Sequence, residues 1–246
     1  MSIDLFLTMA GRYTRFKDEG FQIPKYLLPW GDKSILSEIL LNINLGFFDN
    51  VFLVGNSNDE RFMPHVRSIM KSYNIPVGNL FLIDDTGGQA ESAFVGINRV
   101  LETLDVSRDM LFFHNVDTVL YNRGFRDVNQ LLSAHGGYVD VFRSNNHSYS
   151  YVVVDDGVVS DIVEKVVVSD LATSGLYGFS SVDRFLGFYR KGDVFISEVY
   201  RRMIGDGCSV VTGVVHSEKD TIVLGTPNEY LSSMYMLDLM NNKLKR

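Results

Sequence analysis

"LFLTMAGRYTRFKDEGFQIPKYLLPWGDKSIL", residues 5–36, decides how the chain is read. The apolar run over residues 3–10 ends on Gly11, the pattern of a buried strand. A polar loop carrying Arg12, Arg15, Lys17 and Lys25 follows, and apolar residues return at Tyr26–Trp30. Parallel sheets bind ligands beyond the carboxyl ends of their strands. Cations set directly after a first strand therefore point to an anion. Gly11 lets the backbone approach a phosphate closely, the free N–H groups of such a loop form an anion nest, and an arginine adds a planar fork. The loop has neither the G-x-x-x-x-G-K-[ST] nor the G-x-G-x-x-G pattern.

Outward from this stretch, strands and helices alternate. Residues 34–47 have a helical spacing in Ile35, Ile39, Leu40 and Ile43, with Gly46 as a stop. "NVFLVGN" (50–56) is a second strand, and a helix over 59–74 carries Pro64 early or kinks there. "LFLID" (80–84) is a third strand, residues 87–104 a helix, and "DMLFFHNVDTVL" (109–120) a fourth strand. Strands separated by helices of this length indicate right-handed crossovers and a mostly parallel sheet. After residue 121 the chain turns β-rich, with Asp155-Asp156-Gly157 as a tight hairpin turn. Residues 182–191 and 194–207 read as helices, 208–217 and 219–227 as late strands, and 228–246 as a closing helix. The fold class is α/β: a Rossmann-like, mostly parallel mixed sheet flanked by helices. It forms one domain over 1–246, with a nucleotide-binding half (1–120) and an acceptor-binding half (121–246).

Composition narrows the function. The 246 residues are 46% hydrophobic and 22% charged, enough for a sizeable core. The net charge of -7 disfavours a duplex nucleic-acid binder, so the N-terminal cations suggest a local anion site. The single cysteine, Cys208, excludes an internal disulfide and a cysteine-based zinc site, and fits a reducing compartment. The first strand is too short and too polar for a signal peptide or membrane span, so the expected address is the cytoplasm, with no membrane partner. His65, His114, His135, His147 and His216 are scattered without ligand spacing. Trp30 reads as core and Cys208 as inert.

The ordered fragments of the chain resemble the sugar-nucleotide pyrophosphorylases, nucleotidyltransferases of the glycosyltransferase-A type. "GRYTRF", "PK" and "YLLPWGDKSIL" resemble that family's first loop. "GGQAESA" (87–93) resembles its base-recognition segment and "HNVDT" (114–118) its metal-holding segment. "VEK" (163–165) and "SGLYGF" (174–179) resemble its acceptor segments, and "LGTPNEYL" (224–231) its D-x-G-T-P segment. The spelling of residues 9–25 is similar to a subgroup linked to bacterial surface polysaccharides. Three positions depart from the pattern. Tyr13 stands where a second glycine is usual, and Asn115 and Val116 precede Asp117 in place of the glycine. Val223 stands where the second acidic metal ligand is usual, and Asp220 could compensate only if the register shifts.

The resemblance implies transfer of a nucleotidyl group. A phosphorylated acceptor attacks the α-phosphate of an NTP and pyrophosphate leaves. The acceptor phosphate is already a nucleophile, so the work is positioning and charge neutralisation. Ala10, Gly11 and Arg12 would line the triphosphate, Arg15 would bind its outer phosphates, and Lys25 would contact the α-phosphate. Asp117 would hold Mg²⁺. Gly88 and Gln89 would meet the base, beside Asn115. Glu164 would bind an acceptor hydroxyl and Lys165 its phosphate, with Gly175 and Thr226 lining the same site. The compact length implies a cytidylyl, uridylyl or thymidylyl enzyme and no β-helix extension, and a homodimer face could come from the late strands and the C-terminal helix. Two rivals stand beside this reading: a glycosyltransferase of the same fold, which needs a D-x-D-like motif, and a degenerate binding protein, which Tyr13 and Val223 favour.

Overall fold

The computed structural model describes residues 1–125 and 127–244, with side chains as far as Leu237. Arg126 lies outside the described residues, as do Lys245 and Arg246, the last two of the helix expected over 228–246.

The opening run forms β1 (Ile3–Met9), and its residues alternate between the sheet's two faces. Ile3, Leu5, Leu7 and Met9 enter one core layer, while Phe6 enters the other. The loop after β1 holds a short helix, α1 (Thr14–Asp18), and a two-stranded ribbon, β2 (Pro29–Trp30) and β3 (Lys33–Ser34). The first helix expected from the sequence, α2 (Ile35–Asn42), starts on Ser34, whose hydroxyl accepts from the Ser37 N–H at 3.2 Å. β4 (Asn50–Asn56) follows, and then α3 (Met63–Ser72). Pro64 lies in the first turn of α3, where its missing N–H costs nothing, so it starts that helix without kinking it. β5 (Leu80–Ile83) and α4 (Gln89–Thr103) complete the alternation.

The expected fourth strand is two strands. β6 (Met110–Asn115) ends where Val116 and Asp117 turn the chain, and β7 (Thr118–Leu120) leaves the main sheet. α5 (Val128–Ala134), β8 (Gly137–Arg143), β9 (Ser150–Asp155), β10 (Val158–Glu164) and β11 (Leu171–Phe179) come next. The turn between β9 and β10 has Asp156 and Gly157 at positive φ, as a two-residue hairpin of opposite-hand turn requires. The chain closes with α6 (Val182–Phe188), α7 (Ile196–Gly205), β12 (Val210–His216), β13 (Thr221–Val223) and α8 (Pro227–Leu244).

The main sheet runs β5-β4-β1-β6-β11-β8-β12-β10-β9. Its first four strands are parallel, as the alternating pattern predicts. The expectation of a mostly parallel sheet does not extend further. β11 pairs antiparallel with both β6 and β8, and β10 pairs antiparallel with β12 and β9. β12 alone in this half makes a parallel pairing, with β8. The architecture is therefore mixed α/β. β7 and β13 form a separate antiparallel pair that brings residues 221–223 beside the end of β6. Among the described residues, no helix is long and apolar enough to cross a membrane.

Candidate active site

The C-terminal ends of β1 and β6 open into a cleft of about 660 Å³. Its floor and walls gather Gly11, Arg12, Arg15 and Lys25 from the first loop, and Gly88 and Gln89 from the start of α4. Asn115 comes from the end of β6 and Asp117 from the turn after it, Glu164 and Lys165 from the end of β10 and the turn after it, Gly175 from β11, and Thr226 from the segment before α8. Residues spread from the first strand to the last helix thus share one cavity. Ala10 is placed differently: it is buried beneath the loop, and its carbonyl accepts from Asn56 Nδ2 at 2.9 Å.

The cationic loop leaves donors free. Among the described residues, the N–H groups of Gly11, Arg12, Tyr13, Thr14 and Arg15 have no hydrogen-bond acceptor, as expected where a strand ends and a helix begins. Arg15 is exposed on α1 and has no ion-pair partner among the described residues. The Arg12 side chain instead pairs with Asp85 at 3.2 Å.

Across the cleft, Lys25 Nζ donates to Asp117 Oδ2 at 2.5 Å, and both side chains are about one-fifth exposed. Burial pushes the Asp117 carboxyl up. The charge and hydrogen bond of Lys25 outweigh that and hold it below the ordinary carboxylate value. Asp117 is therefore ionised at neutral pH. The stability it contributes is present above the ordinary carboxylate range and is lost only as pH falls through its depressed value.

A second carboxylate was missed in the sequence. An atom at the Cβ position of Gly225 would lie 3.2 Å from Asp117 Oδ2 and 3.6 Å from Glu229 Oε2, so the two acids flank one glycine. Glu229 is on the first turn of α8, with Oε2 accepting from Thr226 Oγ1 at 2.9 Å and Oε1 from Tyr149 Oη at 3.3 Å. Asp220, the compensating acid considered from the sequence, lies outside the cleft, where it accepts from Asn122 and Ser217. Val223 does line the cleft. The only sequence signal for Glu229 is its place two residues after Thr226-Pro227, which starts a helix pointing an acid back at its own cap.

Gln89 donates its amide to Asn115 Oδ1. Asn115 in turn covers Gly175, where an added Cβ would come within 2.6 Å of its Nδ2. Gly175 has φ 87° and marks a bulge between Thr173 and Tyr177. Gly88 is needed for space, because a Cβ there would lie 2.4 Å from the Val194 carbonyl oxygen. On the far wall, Glu164 accepts from Ser150 Oγ and, at 3.1 Å, from Ser197 Oγ. Lys165, at φ 57°, lays its ammonium 4.7 Å from the Phe195 ring centre and stays half-exposed. One wall thus presents cations and free N–H groups, and the other an acid, a lysine and several hydroxyls.

No protein-family model and no curated protein matches the chain. Solved structures do. The chain superimposes on the nucleoside-diphosphate-sugar pyrophosphorylase from Vibrio cholerae RC9 with a TM-score of 0.80 at 21% identity, covering 94% of this chain and 99% of that one. The inositol-1-phosphate CTP transferase from T. maritima gives 0.70 at 12% identity, over 96% and 95%. A UDP-glucose pyrophosphorylase complexed with UDP-glucose gives 0.71 at 15% identity, over 98% and 99%. The chain has the fold of the nucleotidyltransferases that make activated sugars, as the ordered motifs implied.

Proposed function

We propose that the chain is a nucleotidyltransferase joining the nucleoside monophosphate unit of an NTP to a sugar 1-phosphate or a similar small phosphorylated acceptor, with release of pyrophosphate. The observation that carries this reading is the Lys25–Asp117 ion pair at 2.5 Å, set between the cationic loop and the Glu164–Lys165 wall. The activities named for solved proteins with the same fold support it.

In this reading residues 1–120 take the nucleotide and 121–246 the acceptor. The free N–H groups of Gly11 and Arg12 and the guanidinium of Arg15 hold the outer phosphates, which become the leaving group. Lys25 stands at the α-phosphate and stabilises charge there as the acceptor oxygen arrives. Glu164, fixed by two serines, orients an acceptor hydroxyl, while Lys165 takes the acceptor phosphate. Gln89 and Asn115 present amides toward the base.

Among the described residues no group of three or more His, Cys, Asp or Glu side chains is placed to hold a metal. Two carboxylates do flank Gly225, Asp117 and Glu229. That donor set suits Mg²⁺, which takes one or two carboxylates and completes its shell with water and substrate phosphate oxygens. Bound there, Mg²⁺ would supply charge neutralisation of the triphosphate. The resemblance that places residues 9–25 near the surface-polysaccharide subgroup suggests the product's use.

The test is pyrophosphate release from each of ATP, CTP, GTP, UTP and dTTP with Mg²⁺ and a panel of sugar 1-phosphates and polyol phosphates. Turnover with one pair establishes the activity. Nucleotide binding without turnover on any pair would favour the binding module that Val223 suggests.

A further inference from the structure

Two segments supply the cations of the cleft. One is the loop ending in α1, with Tyr13 just ahead of Arg15. The other is the 3-10 turn Lys25–Leu27, in which Tyr26 follows Lys25. Both tyrosine hydroxyls go to one carboxylate. Tyr13 Oη donates to Asp59 Oδ1 at 2.6 Å and Tyr26 Oη to Asp59 Oδ2 at 3.2 Å. Asp59 is 3% exposed and Tyr26 1%. Asp59 belongs to the 3-10 turn Ser57–Phe62 after β4, and nothing in the sequence reading gave this segment a role.

Tyr13 carries a mark of constraint. Its backbone is left-handed, at φ 41° and ψ 40°, a region that disfavours a residue with a bulky side chain. Such strain persists only where the surroundings over-determine it. Here its hydroxyl is tied to Asp59 and its ring lies under the Lys17 ammonium, 4.3 Å from the ring centre. Asn56, at the end of β4, adds a second pin: its amide donates to the Ala10 carbonyl at 2.9 Å and to Asp85 Oδ1 at 2.8 Å.

We infer that Asp59 is a positioning residue. By accepting from Tyr13 and Tyr26 together, it sets the spacing of Arg15 and Lys25 across which a triphosphate must fit. The inference rests on the loop's proposed role in holding that triphosphate. Each tyrosine spends its hydroxyl on Asp59 and acts through the cation beside it. A tyrosine where glycine would adopt the conformation freely gives this chain a loop held by a side-chain anchor, in place of one that closes by its own flexibility.

The experiment compares wild type, Tyr13→Phe, Tyr26→Phe and Arg15→Ala by calorimetric titration. The probes are whichever of ATP, CTP, GTP, UTP and dTTP binds wild type tightest, and the matching monophosphate; thermal midpoints are recorded alongside. Loss of one charge-assisted hydrogen bond in Tyr13→Phe should weaken triphosphate binding by about tenfold and leave monophosphate binding within about twofold. Tyr26→Phe should lower kcat for pyrophosphate release by about tenfold with little change in the nucleotide KM, because Lys25 serves the transition state. Asp59→Leu removes both acceptors at similar volume and should show both defects at once. If Tyr13→Phe loses both nucleotides equally, or neither, while Arg15→Ala loses the triphosphate alone, the anchor is overturned and the loop's role stands. If wild type holds triphosphate and monophosphate equally, the reading beneath the anchor falls with it.

Discussion

The two walls of the cleft are built by different means. On the N-terminal side, cations hang from a loop that a parallel strand delivers, and two buried side chains, Asn56 at the end of the neighbouring strand and Asp59 in the turn after it, hold that loop in place. On the C-terminal side, the functional groups ride on antiparallel strands, and irregularities in the strands themselves aim them. Lys165 is left-handed at φ 57°, and Gly175 opens a bulge at φ 87°. One wall is shaped by anchors from outside the segment, the other by kinks within it. Substitutions should therefore act at a distance on the first wall and only locally on the second.

The hardest test of this contrast is Lys25→Ala. It removes the charge nearest the proposed reacting phosphate, and turnover measured by pyrophosphate release should fall by ~10²- to 10³-fold with the fold intact. Surviving activity would remove Lys25 from the machinery and dissolve the cationic wall as a functional unit.

A pH experiment probes the seam between the walls. His114 on β6 faces Leu7 of β1 on one side and Leu176 of β11 on the other. It is fully buried, and its Nε2 is 2.9 Å from the Thr118 carbonyl, which it reaches as a donor; its Nδ1 has no hydrogen-bond partner among the described residues. Burial pushes its pKa down from 6.5 to about 4. The unfolded chain therefore binds this proton at a higher pH than the folded one. Stability should fall as pH drops from 6.5 to about 4 and level off below that, with a loss on the order of 3 kcal/mol. Thermal midpoints across that window should show the slope in wild type and a flatter profile in His114→Gln; equal slopes would show that the seam does not depend on a neutral imidazole.

Gly88→Ala tests where the walls meet. The new Cβ would stand 2.4 Å from the Val194 oxygen and 2.7 Å from its Cα, backbone atoms that cannot turn aside. A loss of about 2 kcal/mol in unfolding free energy is expected from overpacking of this kind. An unchanged midpoint would mean that the segment around Val194 is free to move away from α4.

The finest discrimination comes from Glu164→Gln. The two serines that hold the carboxylate can hold an amide oxygen equally, so the wall keeps its shape and loses only charge. The acceptor KM should rise by about tenfold while the nucleotide KM stays near wild type, as loss of one charge-assisted contact requires. A matching rise in the nucleotide KM would merge the two walls into one binding surface.

What the sequence made legible follows the same division. The strand–loop–helix start, the Arg15 and Lys25 positions, the hairpin at 155–157 and the parallel direction of the first strands were all readable, because each depends on neighbours in sequence. The break at Val116–Asp117 was not, since the apolar run continues across it and hides a turn. α5 was missed because seven residues with Val128 and Leu132 as its buried pair show too little periodicity. α1 buries only Phe16 and has no pattern to detect. The anchors were hidden for another reason: Asp59 meets Tyr13 across 46 positions, a pairing that only the parallel register of β1 and β4 creates. Glu229 was hidden in the same way, reaching Tyr149 across 80 positions. Sheet order was the deepest omission, for nothing in β11 announces that it pairs with β6.

The ring of Tyr230 packs edge-on against Phe16 and Phe21, and its hydroxyl donates to the Pro29 carbonyl, 201 positions upstream. The first loop and the start of α8 are thereby stitched together. During synthesis the cationic loop leaves the ribosome early, and its partner Tyr230 follows 201 positions after Pro29. A prematurely terminated product lacking residues beyond 225 would carry the positive charges without Glu229 or the tyrosine that seals them. The stitch makes emergence of Glu229 and Tyr230 a precondition for a finished pocket.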